Sequence, residues 1–241
     1  SRDGASLYVC ETFAQKITRI PINADGSLGQ AASLIQHTGA SVHPTRQTAP
    51  HAHVIKVSPD NRFAFSADLG LDKVLIYKLD ASKALLTPND PSFASVPTGA
   101  GPRHFTFHPR GRFAYVINEL DSTLTAFQYD KKRGALSPIE TVSTLPPGQA
   151  LESNYSTAEV VVHPSGKFLY GSNRGHDSMA VFTINQKTGK LQLIQTESTG
   201  GSIPRNFNID PSGQYLLAAN QNSDNVVVFR IDKKTGRLTP T

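Results

Sequence analysis

An all-β fold made of repeated four-stranded units is what this sequence predicts, and three observations carry the prediction. A four-residue turn recurs at near-fifty-residue intervals, as Ser58-Pro59-Asp60-Asn61, His108-Pro109-Arg110-Gly111, His163-Pro164-Ser165-Gly166 and Asp210-Pro211-Ser212-Gly213. Self-similarity on that scale marks stacked supersecondary units. The copies keep register: nine residues beyond each proline stands Asp68, Asn118, Asn173 or Asn220, and eighteen beyond stands Tyr77, Phe127, Phe182 or Phe229. Between the turns lie short runs of Val, Ile, Leu, Phe and Tyr bounded by Gly, Pro, Asn and Asp, which is strand texture, with no amphipathic helical period. Four antiparallel strands per repeat describe the blade of a β-propeller, in which each sheet buries its faces on its neighbours around a channel. A β-sandwich, the competing all-β architecture, does not generate such a period.

The last copy shows the elements in order. Arg205 to Ile209 is a first strand, a Pro/Gly turn follows, and Tyr215 to Ala219 is the second strand. A polar loop leads to a third strand from Asn225 to Ile231, and a Lys-Thr-Gly turn leads to a fourth from Leu238 onward. The same reading sets repeat units at roughly 1–50, 51–100, 101–152, 153–201 and 202–241 of a single domain, about five blades. The first unit opens after its own first strand: Asp3-Gly4-Ala5-Ser6-Leu7-Tyr8-Val9 matches the turn and second strand. Its Asp25-Gly26-Ser27-Leu28 matches Thr188-Gly189-Lys190-Leu191 and Thr235-Gly236-Arg237-Leu238. A chain that starts inside a blade is expected to be an N-terminally incomplete segment of a longer propeller.

Composition narrows the function. Lys plus Arg number 24 against 19 Asp plus Glu, a net charge of +5, without a basic run. That suits anionic small molecules better than a nucleic-acid track. No apolar stretch is long enough to span a membrane, and the one cysteine, Cys10, has no disulfide partner. Zinc-ligand spacing, a Gly-x-Ser-x-Gly elbow, a phosphate-cradling Gly-x-x-x-x-Gly-Lys loop, a dinucleotide fingerprint and a His-Glu-x-x-His helix are all missing. Neither a metal nor a cofactor is expected, and the partner expected is a small anion rather than nucleic acid or membrane.

Strand geometry says where chemistry can sit. The start of a blade's innermost strand and the end of its second strand lie at the same end, because the second runs back beside the first. One channel rim therefore collects His51 with His53, Arg103 with His104, Ala158 with Glu159, and Arg205 with Asn206. It also collects Glu11, Asp68, Asn118 with Glu119, Asn173 with Arg174, and Asn220. Slots shared by all copies read as scaffold: the Asp/Asn position satisfies the loop that follows it, and His108 and His163 cap their turns. His37, His43 and His176 read as solvent-facing or locally bonded loop residues. Residues that break the pattern at the rim are where function is grafted. His53, Arg103, Glu119 and Arg174 combine two guanidiniums for a carboxylate or phosphate with an imidazole and a carboxylate able to move a proton. His51, His104, Asn118, Asn173 and Arg205 flank them as candidate substrate-binding residues. His51 and His53, two apart on a strand, would share a face, but no carboxylates fall in register to complete a metal site.

These residues lie in segments that resemble a known family. The segments are Gln36-His37-Thr38-Gly39 with the following Pro44-Thr45-Arg46-Gln47, Pro50-His51-Ala52-His53, Ser66-Ala67-Asp68-Leu69-Gly70 and Gly101-Pro102-Arg103-His104-Phe105. They continue through Tyr115-Val116-Ile117-Asn118-Glu119-Leu120, Ser172-Asn173-Arg174-Gly175-His176-Asp177 and Pro204-Arg205-Asn206-Phe207. The chain resembles the lactonase family of seven-bladed propellers, which includes bacterial propeller-type 6-phosphogluconolactonases and the fungal 3-carboxy-cis,cis-muconate lactonising enzyme. The resemblance implies a seven-bladed ring of which this chain is the last five blades. It also implies hydrolysis of 6-phospho-D-glucono-1,5-lactone to 6-phosphogluconate in the pentose phosphate pathway, in the cytoplasm and without a cofactor. The family's histidine, two arginines and glutamate fall on His53, Arg103, Glu119 and Arg174, with Glu119 or His53 as base and the arginines holding phosphate and the developing oxyanion. Three alternatives stand beside this: another lactone or the lactonising direction, a non-enzymatic binding propeller, and a divalent-metal lactonase with Glu119, Asn118 and Asn173 as ligands.

Overall fold

The computed structural model describes residues 1, 3–80 and 85–241. Strands β1 (Ser6–Glu11), β2 (Lys16–Pro21) and β3 (Ser33–Gln36) form the first sheet. Strands β4 (Ala52–Val57), β5 (Phe63–Asp68), β6 (Lys73–Asp80) and β7 (Leu85–Ser95) form the second. The third holds β8 (Pro102–Phe107), β9 (Phe113–Asn118), β10 (Thr123–Asp130) and β11 (Ala135–Ser143). The fourth holds β12 (Ser156–Val162), β13 (Phe168–Arg174), β14 (Ser178–Ile184) and β15 (Leu191–Ser198). The fifth holds β16 (Pro204–Ile209), β17 (Tyr215–Asn220), β18 (Asn225–Ile231) and β19 (Leu238–Pro240). Every sheet is a sequential antiparallel meander. Among the described residues the first sheet has three strands, and β1 lies against β4. Among the described residues no helix is long and apolar enough to cross a membrane.

The cores lie between sheets rather than within them. Phe63, Phe65 and Ile76 of the second sheet pack on Phe105, Val116 and Phe127 of the third. Tyr115, Ile117 and Leu124 of the third meet Val160, Leu169 and Phe182 of the fourth, and Tyr170 and Val181 of the fourth meet Phe207, Leu216 and Phe229 of the fifth. This is how a meander with two apolar faces buries both. The shared aromatic at Tyr77, Phe127, Phe182 and Phe229 is buried in every copy.

Polar groups lock the same seams. His108 Nδ1 accepts from the Arg110 N–H at 3.1 Å, so its Nε2 donates to the Gly166 carbonyl of the next sheet at 2.9 Å. His163 repeats the pattern, with Nδ1 taking the Ser165 N–H and Nε2 reaching the Gly213 carbonyl. The two predicted turn caps thus also tie neighbouring blades. Gly189 shows why its turn takes glycine: φ is +75°, and a Cβ would lie 2.5 Å from the Phe113 ring. The Tyr115 hydroxyl donates to the carbonyl of that glycine, and Tyr170 does the same to Gly236.

One loop histidine departs from expectation. His37 is 4% exposed; its Nδ1 lies 2.6 Å from Asp68 Oδ2 and its Nε2 2.9 Å from the Tyr77 hydroxyl. The sequence shows a loop there but not that the loop folds back over the second sheet. His43 is locally bonded as expected, accepting from the Arg46 N–H at 3.2 Å.

Candidate active site

The rim side chains are aimed by a repeated irregularity. Each inner strand slips by one residue against its neighbour close to the rim. In β4 the pairs Ala52–Asp68 and Val54–Ala67 leave His53 as the extra residue. In β8, Pro102–Asn118 and His104–Ile117 leave Arg103; in β16, Pro204–Asn220 and Asn206–Ala219 leave Arg205. In β12 the slip takes in Ala158 and Glu159. A bulge removes its extra residue from strict alternation and re-aims it, and the bulge residues His53, Arg103 and Arg205 all line one cleft at the channel mouth. The bulge corrects the expectation that His51 and His53 share a strand face. His51 stands before β4, its N–H spent on Asp68 Oδ1 at 2.7 Å, while His53 is the bulge residue.

Glu119, just past β9, is the centre of the cluster and 4% exposed. Its Oε2 accepts from Arg103 Nε at 2.8 Å and lies 3.0 Å from Arg174 Nη2. Its Oε1 accepts from Arg46 Nη2. Arg103 Nη1 donates to the Ala158 carbonyl at 2.7 Å, and Arg174 Nη2 donates to the Thr157 carbonyl at 2.7 Å. Three of the four predicted catalytic residues are therefore in direct contact, and they knit the third blade to the fourth. Burial alone would push the Glu119 carboxyl up, but Arg174, Arg46 and Arg103 hold it below the usual range. Burial brings Arg103 down to about 10 and also lowers Arg174, with Glu119 opposing both shifts. Glu119 is therefore a carboxylate and Arg103 a cation at neutral pH. Three guanidiniums against one carboxylate give this cluster an excess of positive charge.

Arg46 was not among the predicted site residues, although the resemblance segment Pro44-Thr45-Arg46-Gln47 contains it. It arrives on the loop between β3 and β4. Gln47 Nε2 donates to the Leu69 carbonyl at 2.8 Å and to Asp72 Oδ1 at 2.7 Å, and the Ser41 hydroxyl donates to Asp72 Oδ2. The pinned loop extends the half-exposed Arg46 side chain over Glu119.

The fourth predicted catalytic residue faces the same mouth. His53 is pushed down to about 3 by burial, with Arg103 and His104 adding to the effect, so it is neutral at pH 7. Its Nδ1 is buried without a hydrogen-bond partner. His53, Arg103, His104, Arg205 and Asn206 line a cleft of about 530 Å³ whose far wall is the fifth blade from Ala219 to Val226. Among the described residues the exposed Arg205 bonds Gln221 alone, at 3.3 Å. Asn118 and Asn173 do not face the cleft. They are 0% and 1% exposed, and their amides donate to Thr123 and Thr125 and to the Thr144 carbonyl and Ser178. They serve their loops, as the scaffold reading of that slot has it, and have no surface to offer a substrate.

The residues fit a metal poorly. Glu119, Asn118 and Asn173 would have to bring a cation beside three guanidiniums, with both Glu119 oxygens already accepting hydrogen bonds. The arrangement suits an anion instead: Arg103 and Arg205 meet at one cleft, and Arg103 has spent only two of its three nitrogens on the protein.

Antiparallel meander sheets packed face to face, with guanidiniums gathered around one carboxylate at the same end, define a β-propeller with a cationic cluster at its mouth. The family described as lactonase, 7-bladed beta-propeller, matches residues 1–241, and the chain belongs to it. A Bacillus subtilis (strain 168) protein named 6-phosphogluconolactonase is 40% identical over 195 residues, 81% of this chain and 54% of its own length. A Formosa agariphila protein of the same name is 36% identical over 213 residues, 87% of this chain and 59% of that protein. Among solved structures, the periplasmic gluconolactonase PpgL of Pseudomonas aeruginosa superposes with a TM-score of 0.91 at 33% identity, covering 99% of this chain and 67% of that one. A Lactobacillus plantarum protein gives 0.92 at 32% identity with the same coverage. The chain spans about half the length of the curated relatives it matches.

Proposed function

We propose that this chain carries the mouth of a lactonase that hydrolyses a phosphorylated sugar lactone, 6-phospho-D-glucono-1,5-lactone, to 6-phosphogluconate. The observation that carries the reading is the Glu119 carboxylate gripped by Arg46, Arg103 and Arg174 beside a cleft that Arg103 and Arg205 line. Fixed guanidiniums recognise a phosphate dianion and stabilise the oxyanion that develops when water adds to the lactone carbonyl. Relatives named 6-phosphogluconolactonase support the choice of substrate. A phosphate ester cannot cross a membrane unaided, so a cytoplasmic site of action belongs to the same proposal.

Glu119 has a narrower part in this scheme than that of a base. Both of its oxygens accept from arginine and its acidity is enhanced, so it holds the guanidiniums at fixed positions and takes no proton. In the full-length protein, Arg103→Ala and Glu119→Gln should each lower kcat/KM for lactone opening by about 10²-fold, the scale of lost oxyanion stabilisation. Retention of the wild-type rate with His53, Arg103, Glu119 and Arg174 all replaced would favour a non-enzymatic binding propeller. Inhibition by chelators would favour the metal-dependent alternative; none is expected.

A further inference from the structure

A carboxylate–imidazole pair reaches the same cleft through its imidazole and involves none of the Glu119 cluster. His104, on β8 next to the bulge residue Arg103, places Nδ1 2.8 Å from Glu159 Oε1 of β12. Glu159 is fixed from two further sides: Oε1 accepts the Val160 N–H at 3.0 Å, and Oε2 accepts from Asn206 Nδ2 of β16 at 2.7 Å. Burial alone would raise the Glu159 carboxyl, but His104, the Val160 N–H and Lys56 hold it below the usual range. An ionised carboxylate only accepts, so Nδ1 of His104 carries a proton and a ring with a single proton keeps its lone pair on Nε2. His104 lines the cleft, and so does Asn206. Three blades thus contribute one residue each to a carboxylate-oriented imidazole, the arrangement by which a histidine is presented as a base.

We propose that His104 is the general base of the lactonase, and that Glu159 is the positioning residue that sets its tautomer; this rests on the lactonase reading. The other two candidates are less suited. Glu119 is occupied by arginines, and His53 is too weakly basic, with its Nδ1 shut away from the cleft. In the step, a water O–H bond breaks as oxygen adds to the lactone carbonyl carbon, and the proton goes to His104 Nε2. The carbonyl electron pair moves to the oxygen, which a guanidinium stabilises. Collapse breaks the bond between that carbon and the ring oxygen. The departing alkoxide takes the proton back from His104, and the carboxylic acid formed ionises to solvent. The charged and titratable groups that share the cleft with His104 are His53 of β4, Arg103 of its own strand, Arg205 of β16 and Asp224 between β17 and β18, while Glu159 of β12 bonds its ring and Lys56 of β4 acts on Glu159.

The test uses the full-length protein and 6-phosphogluconolactone. Wild-type hydrolysis above the uncatalysed rate comes first; without it the lactonase reading fails, and the base assignment with it. Given that activity, His104→Gln should lower kcat by about 10²-fold or more with KM within about threefold, as removal of a general base requires. Glu159→Gln should lower kcat by about tenfold and move the acidic limb of the kcat profile to lower pH, since the imidazolium loses its carboxylate. Wild-type-like kcat in H104Q, or an unmoved acidic limb in E159Q, overturns the assignment while leaving the lactonase standing. Nitrogen-15 shifts of His104 in the unmodified protein give a reading independent of variant folding. The Nδ1–H tautomer is expected, and an Nε2–H tautomer overturns the proposal.

Discussion

Arg46 differs from its two guanidinium partners in one respect: it is half exposed, whereas Arg103 and Arg174 are clamped to backbone carbonyls as well as to Glu119. A side chain so placed can exchange Glu119 for a ligand phosphate at small cost. Arg46→Met should therefore raise KM for the phosphorylated lactone by about tenfold with kcat within about threefold, the pattern of lost uniform binding; steady-state kinetics at fixed ionic strength checks it. His53 gives a prediction of different kind. Its folded pKa of about 3 lies below the unfolded value near 6.5. Between those values the unfolded chain binds the extra proton, so stability is full above about pH 6.5 and falls as pH drops toward 3, by up to ~1.4 kcal/mol per pH unit. His53→Gln should flatten that slope in denaturant titrations. At this scale the sequence was legible where copies could be compared. His53, Arg103, Glu119 and Arg174 stand out as departures from a repeated slot, but Arg46 lies in an inter-blade loop whose length differs from unit to unit, so periodicity cannot mark it.

Strand order and turn positions follow from the proline index and the buried aromatic, because each strand must bury alternate residues between two sheets. What strand texture does not carry is the bulge. Alternation puts His51 and His53 on one face, yet a one-residue slip in β4 separates them, and the same slip selects Arg103 and Arg205. A bulge is set by backbone pairing with the neighbouring strand, and residue type leaves no mark of it. His37 escaped for a related reason, since only the folded loop brings it to Asp68 and Tyr77. The seams between blades give this scale its own prediction. Gly189 combines φ of +75° with a Cβ site 2.5 Å from the Phe113 ring. Gly189→Ala should thus cost about 2 kcal/mol or more, a drop in Tm of about 4–8 °C by calorimetry for a domain of this size. KM for the lactone in the full-length protein should stay unchanged under the proposed function, because the turn lies away from the mouth residues.

Function belongs to the ring rather than to any blade. The loop after β3 supplies Arg46; the third blade supplies Arg103, His104 and Glu119; the fourth supplies Glu159 and Arg174; and the fifth supplies Arg205 and Asn206. Each is within reach of the others only because inner strands converge on one axis. An isolated sheet would hold at most three of these groups and no cleft. Attraction between the cationic mouth and a phosphate dianion is screened by salt. For the full-length protein, kcat/KM on a phosphorylated lactone should therefore fall several-fold between about 0.05 and 0.5 M salt, while that on its unphosphorylated counterpart changes little.

The most direct measurement is the ratio of kcat/KM for 6-phosphogluconolactone to that for unphosphorylated gluconolactone, in the full-length protein and in an Arg46→Met/Arg205→Met double variant. A mouth that binds the phosphate predicts a ratio of about 10² or more that falls about tenfold or further in the double variant. A ratio near one in the wild-type protein, or a large ratio that survives loss of both arginines, would contradict the assignment of this cationic mouth to a phosphorylated lactone.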